Sequence, residues 1–196
     1  MVTQTSVAPK RIKKRPVIHT ERLTLEMCTE ADAQLFLNFY ENNREHLSRW
    51  EPARSHEFYT LEYWQKTLKE NQIFLLEGSA IKFGIFNKER TEVIGTCNFN
   101  NIIRGVFQAC HLGYSIGGKY QGQSYMYEAA QAGIQFMFNE MGLHRVMANY
   151  IPTNARSGAL LERLGFEEEG FARDYLKIDG IWEDHVLTAL VNHNSP

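Results

Sequence analysis

The chain has 196 residues, of which 43% are hydrophobic and 22% are charged, as expected for one soluble globular domain with short extensions. No apolar run reaches the roughly 18 residues that a membrane span needs, and the N-terminus lacks the hydrophobic segment of a secretory signal. The three cysteines, Cys28, Cys97 and Cys110, form no CxxC pair, and their odd number suits a reducing compartment. We therefore expect a cytoplasmic protein with buried cysteines and no membrane partner.

Charge is distributed unevenly along the chain. Residues 10–15 contain five of the 21 basic residues, and residues 1–16 contain no acidic residue. The remaining 16 basic residues stand against all 23 acidic ones, so residues 17–196 carry a net charge of −7. Such an acidic body argues against a DNA-binding face and suits a basic peptide. We expect residues 1–16 to be a flexible basic arm, either a solvated leader or a contact for RNA, and residues 17–196 to be a single domain.

Hydrophobic periodicity predicts a regular series of elements after this arm. Residues 22–27 alternate apolar and polar side chains, which is typical of a strand, and Thr29 is suited to cap the helix that follows. Asp179 and Gly180 are a strong hairpin signal between the last two strands. In chain order the predicted elements are strand 22–27, helices 30–47 and 57–75, strands 79–87, 92–103 and 107–116, a helix that begins after residue 124 and ends at Gly142, strand 144–151, a helix from Asn154 to Gly165, and strands 170–178 and 181–191.

A glycine-rich loop, residues 117–124, joins the third of the three central strands to a long amphipathic helix. The apolar residues of that helix form one stripe that begins at Met126. A loop of this kind gathers unpaired backbone N–H groups at the positive end of a helix dipole, and so suits a pyrophosphate. The Walker motif GxxxxGK[ST] and the Rossmann motif GxGxxG are both absent. The alternative is a glycine loop that only turns the chain.

Several short motifs occur together in this chain. They are Gln121-Gly122-Gln123-Ser124-Tyr125-Met126, Asn154-x-x-Ser157 followed by residues 160–166, Trp50-Glu51-Pro52, residues 112–117, residues 148–150, Asp174-Tyr175-Leu176, residues 178–180 and Asp184-His185. Together these motifs resemble those of the GNAT acetyltransferase family, and within it those of the enzymes that acetylate ribosomal proteins. The resemblance covers about residues 17–191. Ser124 and Met126 depart from the family pattern, which has glycine and Gly/Ala at these positions.

The resemblance implies a fold and a cosubstrate. The fold is α+β in α/β/α layers, with a central mixed, mostly antiparallel twisted sheet of about seven strands and helices on both faces. The cosubstrate is acetyl-CoA, and no metal is expected, since His111, His144 and His185 lack metal-ligand spacing. The residues implied to bind the cosubstrate are Ile116, Gln121, Gly122, Gln123, Ser124, Tyr125, Met126 and Asn154.

The resemblance also implies a reaction and the residues that carry it. Ser157 is the candidate to protonate the leaving thiolate, and Asp174 is the candidate base, acting on the amine through a water. Trp50, Glu51 and Tyr175 are candidates to bind the acceptor. Ser157 and Asp174 each have an ordinary structural role as the alternative. Ser157 would then be a packed or back-bonded helix residue, and Asp174 an exposed strand acid.

Other candidate residues also have structural alternatives. Asn154 is a possible plain helix cap, and Trp50 a possible plug in the core. Ser124 is expected at negative φ in the first turn of its helix. An aromatic cluster at helical spacing is expected in the core rather than at a ligand site; its members are Phe58, Tyr59, Tyr63 and Trp64.

The chemistry of the acceptor favours an N-terminal amine. An α-amino group has a pKa near 8, about two to three units below that of lysine, so it loses its proton far more readily at pH 7. Direct acyl transfer with a modest base is then sufficient. The resemblance implies a ribosomal protein with alanine as its first residue, and the basic arm suggests contact with the small ribosomal subunit. Acetylation of a small amine, such as a polyamine or amino-sugar, and a ribosome-assembly role with little turnover are the alternatives.

Overall fold

The computed structural model describes residues 14–193, so most of the predicted basic arm lies outside the described residues. Thirteen helices and strands are described there, besides short 3-10 turns. They are β1 Val17–His19, β2 Leu23–Glu26, α1 Ala33–Asn42, α2 Arg44–Ser48, α3 Leu61–Glu77, β3 Ile81–Asn87, β4 Val93–Ile103, β5 Ala109–Ile116, α4 Tyr125–Asn139, β6 Arg145–Tyr150, α5 Ala155–Arg163, β7 Glu167–Ile178 and β8 Ile181–Val191.

The strands form one eight-stranded sheet in the order β1-β2-β3-β4-β5-β6-β8-β7. Every neighbouring pair is antiparallel except β5 and β6, which run parallel. A parallel pair needs a crossover connection, and here it is α4 that returns the chain to the start of β6. The predicted mixed, mostly antiparallel sheet is therefore confirmed.

Helices cover both faces of the sheet, as predicted. On one face, α4 lies so close to β4 that a Cβ on Gly133 would be 2.8 Å from the ring of Phe99. On the other face, α1 approaches β3, where a Cβ on Gly84 would be 2.9 Å from the ring of Phe36. The predicted core role of the aromatic cluster is confirmed, since Phe58 and Trp64 are buried, with Tyr59 and Tyr63 packed against them. All three cysteines are buried, also as predicted.

Two details differ from the sequence prediction. The sheet has eight strands because Val17–His19 pairs with β2 and adds an edge strand. The predicted helix 30–47 is divided at Asn43, whose side-chain Nδ2 donates to the carbonyl of Phe39 at 2.8 Å. The Oδ1 of the same side chain accepts from the N–H of Gly118 at 2.9 Å. The break therefore connects the end of α1 to the glycine-rich loop, a long-range contact that periodicity does not encode.

The last two strands form the predicted hairpin. Asp179 and Gly180 have φ values of 44° and 83°, which is the two-residue turn with both φ angles positive that matches the twist of antiparallel strands. Among residues 14–193, no helix is long and apolar enough to cross a membrane.

Candidate active site

A gap opens in the sheet where β5 and β6 separate. Their parallel pairing covers only residues 109–111 of β5 and 145–147 of β6. Beyond it, residues 112–116 pair only with β4, and residues 148–150 pair only with β8. The backbone groups that β5 directs toward β6 along this stretch therefore have no ladder partner. We call this gap the slot; an extended ligand that lies in it can take the place of a strand.

The slot leads to the N-terminus of α4. Ile116 ends β5 at its mouth, and Ser124 is the residue before the first turn of the 15-residue helix α4. Glu128 is the first residue whose N–H bonds within the helix, to the carbonyl of Ser124 at 3.1 Å, and Ser124 supplies no side-chain cap. The N–H groups of Tyr125 and Met126 are thus available at the positive end of the helix dipole, which suits a phosphate. The Met126 side chain is buried in the core, so only its backbone faces the site.

The expectation of negative φ at Ser124 is wrong. Its φ is 61° and its ψ is 12°, in the left-handed region that glycine adopts without cost. Ser124 stands before the helix rather than within its first turn, and there the chain turns from the loop into the helix axis. Gly122, two residues earlier, has a φ of 73°. Glycine, which the family pattern has at this position, would adopt this conformation without strain.

Two arginines of α5 border the loop. Arg163 donates from Nη1 to the Oγ of Ser124 at 3.0 Å and stacks on the ring of Tyr127, with the guanidinium 3.9 Å from its centroid. Arg156, at the other end of α5, donates to the side-chain oxygen of Gln121. Their positive charges add to that of the helix N-terminus. The loop is therefore held by side chains and is electropositive on the side of α5.

A third arginine holds the loop from the opposite side. Arg22 donates to the backbone carbonyl of Gln123 at 3.1 Å and forms a salt bridge with Glu128 at 2.7 Å. Its guanidinium also lies 4.3 Å from the ring centroid of Tyr125. Sequence reasoning missed this residue, because Arg22 and Glu128 are 106 positions apart and nothing in their local patterns links them.

Ser157 and Asn154 lie together at the start of α5. Asn154 caps the helix, since its Oδ1 accepts from the N–H of Ser157 at 3.2 Å. The Oγ of Ser157 is 2.7 Å from the hydroxyl of Tyr114 on β5. Burial raises the pKa of Tyr114 to about 12, so this phenol stays protonated at neutral pH. Sequence reasoning quoted Tyr114 in a motif without assigning it a role; the contact with Ser157, 43 residues away, is tertiary.

The other side of the same strands is open. Because side chains alternate along a strand, His111 and Gly113 point away from the face that carries Tyr114. Asn98 and Asn100 of β4 lie directly opposite them in the register. The side-chain amides of both asparagines make no hydrogen bond within residues 14–193. We call this surface, formed by Asn98, Asn100, His111 and Gly113, the open face, and the side with Tyr114 and Ser157 the α5 face.

Burial lowers the pKa of His111 below its usual range. The imidazole is therefore neutral near pH 7 and does not repel a cationic amine that approaches the open face.

Asp174 and Tyr175 lie in a bulge of β7 that borders the open face. The register between β7 and β8 shifts between Ala172 and Leu176. Asp174 is exposed, with a φ of 47°, and its N–H donates to a carboxylate oxygen of Asp184 at 2.9 Å. The Tyr175 hydroxyl accepts from Nδ2 of Asn149 at 3.3 Å. The bulge thus directs Tyr175 across β8 to β6, and places Asp174 beside it.

Trp50 and Glu51 lie in the loop between α2 and α3, which contacts the β7–β8 hairpin. The carbonyl of Glu51 accepts from the N–H of Asp179 at 3.1 Å. The carboxylate of Glu51 is paired with Arg54 at 2.7 Å, so its charge is already balanced. Trp50 is 36% exposed and does not plug the core. A cavity of about 150 Å³ lies beside Glu51 and is also lined by Asp179.

One cluster within the described residues has the composition of a metal site. It consists of Glu26, Cys28 and Asp32. Both carboxylates already pair with Arg90, and burial raises the pKa of the Cys28 thiol far above its usual range. Both carboxylates are therefore already engaged by one arginine, and two strands, β3 and β4, separate β2 from β5, which borders the slot.

Together, the mixed sheet, the slot and the exposed N–H groups of the α4 N-terminus suit an acyltransferase with an extended, phosphate-bearing cosubstrate. The chain belongs to the GNAT acetyltransferase family, whose domain model, described as acetyltransferase (GNAT) domain, matches residues 22–167.

Individual proteins and solved structures are also similar to this chain. The chain is 49% identical to the [ribosomal protein uS5]-alanine N-acetyltransferase of Escherichia coli K12 over 171 residues, which are 87% of this chain and 88% of that protein. The crystal structure of a ribosomal-protein-S5-alanine acetyltransferase from Vibrio fischeri superposes with a TM-score of 0.88 at 39% identity, covering 92% of this chain and 99% of that one. RimJ from Mycobacterium smegmatis, solved in complex with CoA-disulfide, superposes with a TM-score of 0.85 at 24% identity, covering 96% and 91%. The last similarity supports the fold.

Proposed function

We propose that this chain is an acetyl-CoA-dependent N-α-acetyltransferase that acts on the N-terminal residue, alanine, of a ribosomal protein. The observation that carries this proposal is the slot with a hydrogen-bonded hydroxyl on one side and an exposed carboxylate on the other. Ser157 lies on the α5 face, and Asp174 borders the open face. The names of the relatives at 49% and 39% identity support the same acceptor.

Acetyl-CoA binds along the slot in this proposal. Its pyrophosphate meets the backbone N–H groups of residues 122–126, and Gln121 orients Arg156 beside them. Its pantetheine arm bonds the free backbone edge of β5 as far as Ile116, and the Nδ2 of Asn154 is available to the same arm. No metal takes part in this scheme.

Acyl transfer then proceeds directly across the slot. The neutral amine attacks the thioester carbonyl, a C–N bond forms, and the C–S bond breaks. A water held by Asp174 removes the proton that the nitrogen loses. The sulfur takes a proton from Ser157, whose Oγ is hydrogen-bonded to the hydroxyl of Tyr114 at 2.7 Å, and solvent then returns a proton to Ser157. Tyr175 and the loop with Trp50 and Glu51 border the acceptor.

The test is acetyl transfer from labelled acetyl-CoA to matched peptides. One peptide begins with a free alanine, a second has the same sequence with its N-terminus blocked and an internal lysine, and a panel of polyamines and amino-sugars completes the set. We expect acetylation of the free N-terminus, mapped by mass spectrometry. Modification of lysine or of a small amine alone would refute the proposal. Mass spectrometry of protein N-termini in cells with and without this chain then identifies the acceptor.

The basic segment at residues 10–15 is proposed to contact RNA of the small ribosomal subunit. Five positive charges within six residues should give binding that weakens steeply with salt. Deletion of residues 1–16 should weaken cosedimentation with ribosomes and leave turnover of a short peptide nearly unchanged. Equal loss of both would show that the segment belongs to the folded domain.

A further inference from the structure

Gly113 lies on the open face where β5 leaves β6. His111 is the last residue of β5 that pairs with β6, and Gly113 follows it by two positions on the same face. A Cβ at this position would have no neighbour closer than the Nδ2 of Asn100, at 4.0 Å. The φ of Gly113 is not positive, so neither packing nor backbone conformation requires glycine here. Because Gly113 has no side chain, the β5 backbone is bare beside the slot.

The bare backbone is bordered by unbonded amides. Asn98 lies directly opposite Gly113 in the register, and Asn100 is its neighbour on the same face. Both are half-buried, and neither side chain bonds to a residue of the described range 14–193. An amide side chain offers a donor and an acceptor together, which is what the backbone of a peptide requires. These features suit an acceptor peptide with little side chain at the point nearest the slot.

We propose that Gly113 sets the size limit for the first residue of the acceptor, and that Asn98 and Asn100 bind the peptide backbone that follows it. The inference rests on the proposed function and identifies the substrate class of the same site, which is a free N-terminus with a small first side chain. A side chain at position 113 occupies the volume that the acceptor's first Cβ needs. The loop and helix N-terminus that bind acetyl-CoA stay unchanged.

The variants for the test are Gly113→Ala and Gly113→Val in the full chain. Gly170→Val is the matched control, because a Cβ on Gly170 would meet no atom within 4 Å, so that it is as uncrowded as Gly113, and this residue lies on β7, at the far edge of the sheet. The measurements are kcat/KM for peptides that differ only in their first residue, glycine, alanine or leucine, and the Kd of acetyl-CoA by calorimetry. Asn98→Leu is tested with the same assays.

We expect Gly113→Val to lower kcat/KM for the alanine peptide about tenfold or more, because a clash of one or two methyl groups changes discrimination by that amount. Gly113→Ala should shift the preference from alanine toward glycine. Asn98→Leu should raise the KM of every peptide. The Kd of acetyl-CoA should stay within about twofold throughout, and Gly170→Val should match the parent.

Two results would overturn the inference. One is an unchanged preference among the peptides in both Gly113 variants; the other is a loss of acetyl-CoA affinity that equals the loss of activity. If the parent acetylates none of the peptides, the proposed function and the inference both fail. If the parent acetylates the alanine peptide and the variants keep its preference, only the inference fails.

Discussion

The α5 face and the open face belong to the same strands and differ in how completely their polar groups are bonded. On the α5 face, Asn154, Ser157 and Tyr114 form one hydrogen-bonded chain. On the open face, the side-chain amides of Asn98 and Asn100 have no hydrogen-bond partner among the described residues. Side chains that bind one invariant cosubstrate gain from a fixed geometry. Side chains that bind a peptide need donors and acceptors that are not already bonded within the protein. The contrast supports the proposal that the acceptor binds at the open face, opposite Ser157 and Tyr114.

The largest expected effect is a loss of activity on substitution of Asp174, which borders the open face. Asp174→Asn should lower kcat about 100-fold at pH 7, the low end for loss of a general base. The loss should shrink toward pH 9, because an α-amine with a pKa near 8 is then mostly neutral without help. The measurement is a pH–rate profile with the alanine peptide. Glu168→Gln, at another exposed acid of β7, is the control and should stay near the parent. If the Asp174→Asn variant is as active as the parent at pH 7, Asp174 is not the base.

The next largest expected effect is a difference in stability between a glycine substitution under α4 and one on the open face. Gly133→Val places a side chain where a Cβ alone would be 2.8 Å from the ring of Phe99, and should lower the free energy of unfolding by about 2–3 kcal/mol. Gly113→Val, on the open face, should change it by no more than about 0.5 kcal/mol, as a valine suits an uncrowded strand. Denaturant unfolding of both variants measures the difference. Equal destabilisation would mean that the open face is covered.

A smaller effect is expected from the hydroxyl on the α5 face. Ser157→Ala should lower kcat about tenfold and leave the KM for acetyl-CoA nearly unchanged, since protonation of the leaving group occurs in the transition state. Tyr114→Phe removes the hydroxyl that supports it and should cost less. Because the pKa of Tyr114 is about 12, the activity of the parent should show no loss from its ionisation between pH 8 and 10. A Ser157→Ala variant that changes only KM would assign Ser157 to binding.

The smallest expected effect concerns the strained turn before α4. Ser124→Gly should raise the free energy of unfolding by about 1 kcal/mol, because it relieves the left-handed strain of serine and loses only an exposed hydrogen bond to Arg163. Ser124→Ala keeps the strain and loses the same bond, so it should be slightly less stable than the parent. Thermal unfolding compares the three proteins.

The same position tests the phosphate loop by charge. Ser124→Glu should weaken the binding of acetyl-CoA clearly, measured by calorimetry, because its carboxylate stands beside the phosphates. Unchanged affinity would show that this loop does not hold them.

Sequence patterns predicted most elements of the fold within a few residues. The hairpin at Asp179-Gly180 and the stripe that begins at Met126 each depend on neighbours within one or two turns of chain. The break at Asn43 was missed; this side chain bonds to the N–H of Gly118, 75 residues away, and periodicity does not indicate such a contact. The φ of Ser124 was also predicted wrongly. Its sequence neighbours suggested a first helical turn, and the structure places it one residue before the helix.

The candidate site was likewise predicted only in part from the sequence. Short motifs that resemble those of the family were sufficient to select the glycine-rich loop, Ser157 and Asp174 as candidates. The catalytic roles of Ser157 and Asp174 are still predictions. The partners of these residues came from tertiary structure: Tyr114 for Ser157, Arg163 for Ser124 and Arg22 for Glu128.

By itself, the sequence determined the family, through short motifs that resemble those of known members. It also determined the order of the helices and strands and the loop that precedes α4, since these follow from periodicity and turn chemistry along the chain. Only the tertiary structure decided that β5 and β6 separate after three paired residues, and so which face each side chain occupies. The separation is a relation between strands that are joined through α4, and strand alternation then assigns Tyr114 and Gly113 to opposite faces. No local pattern carries that information, because it depends on which strands become neighbours.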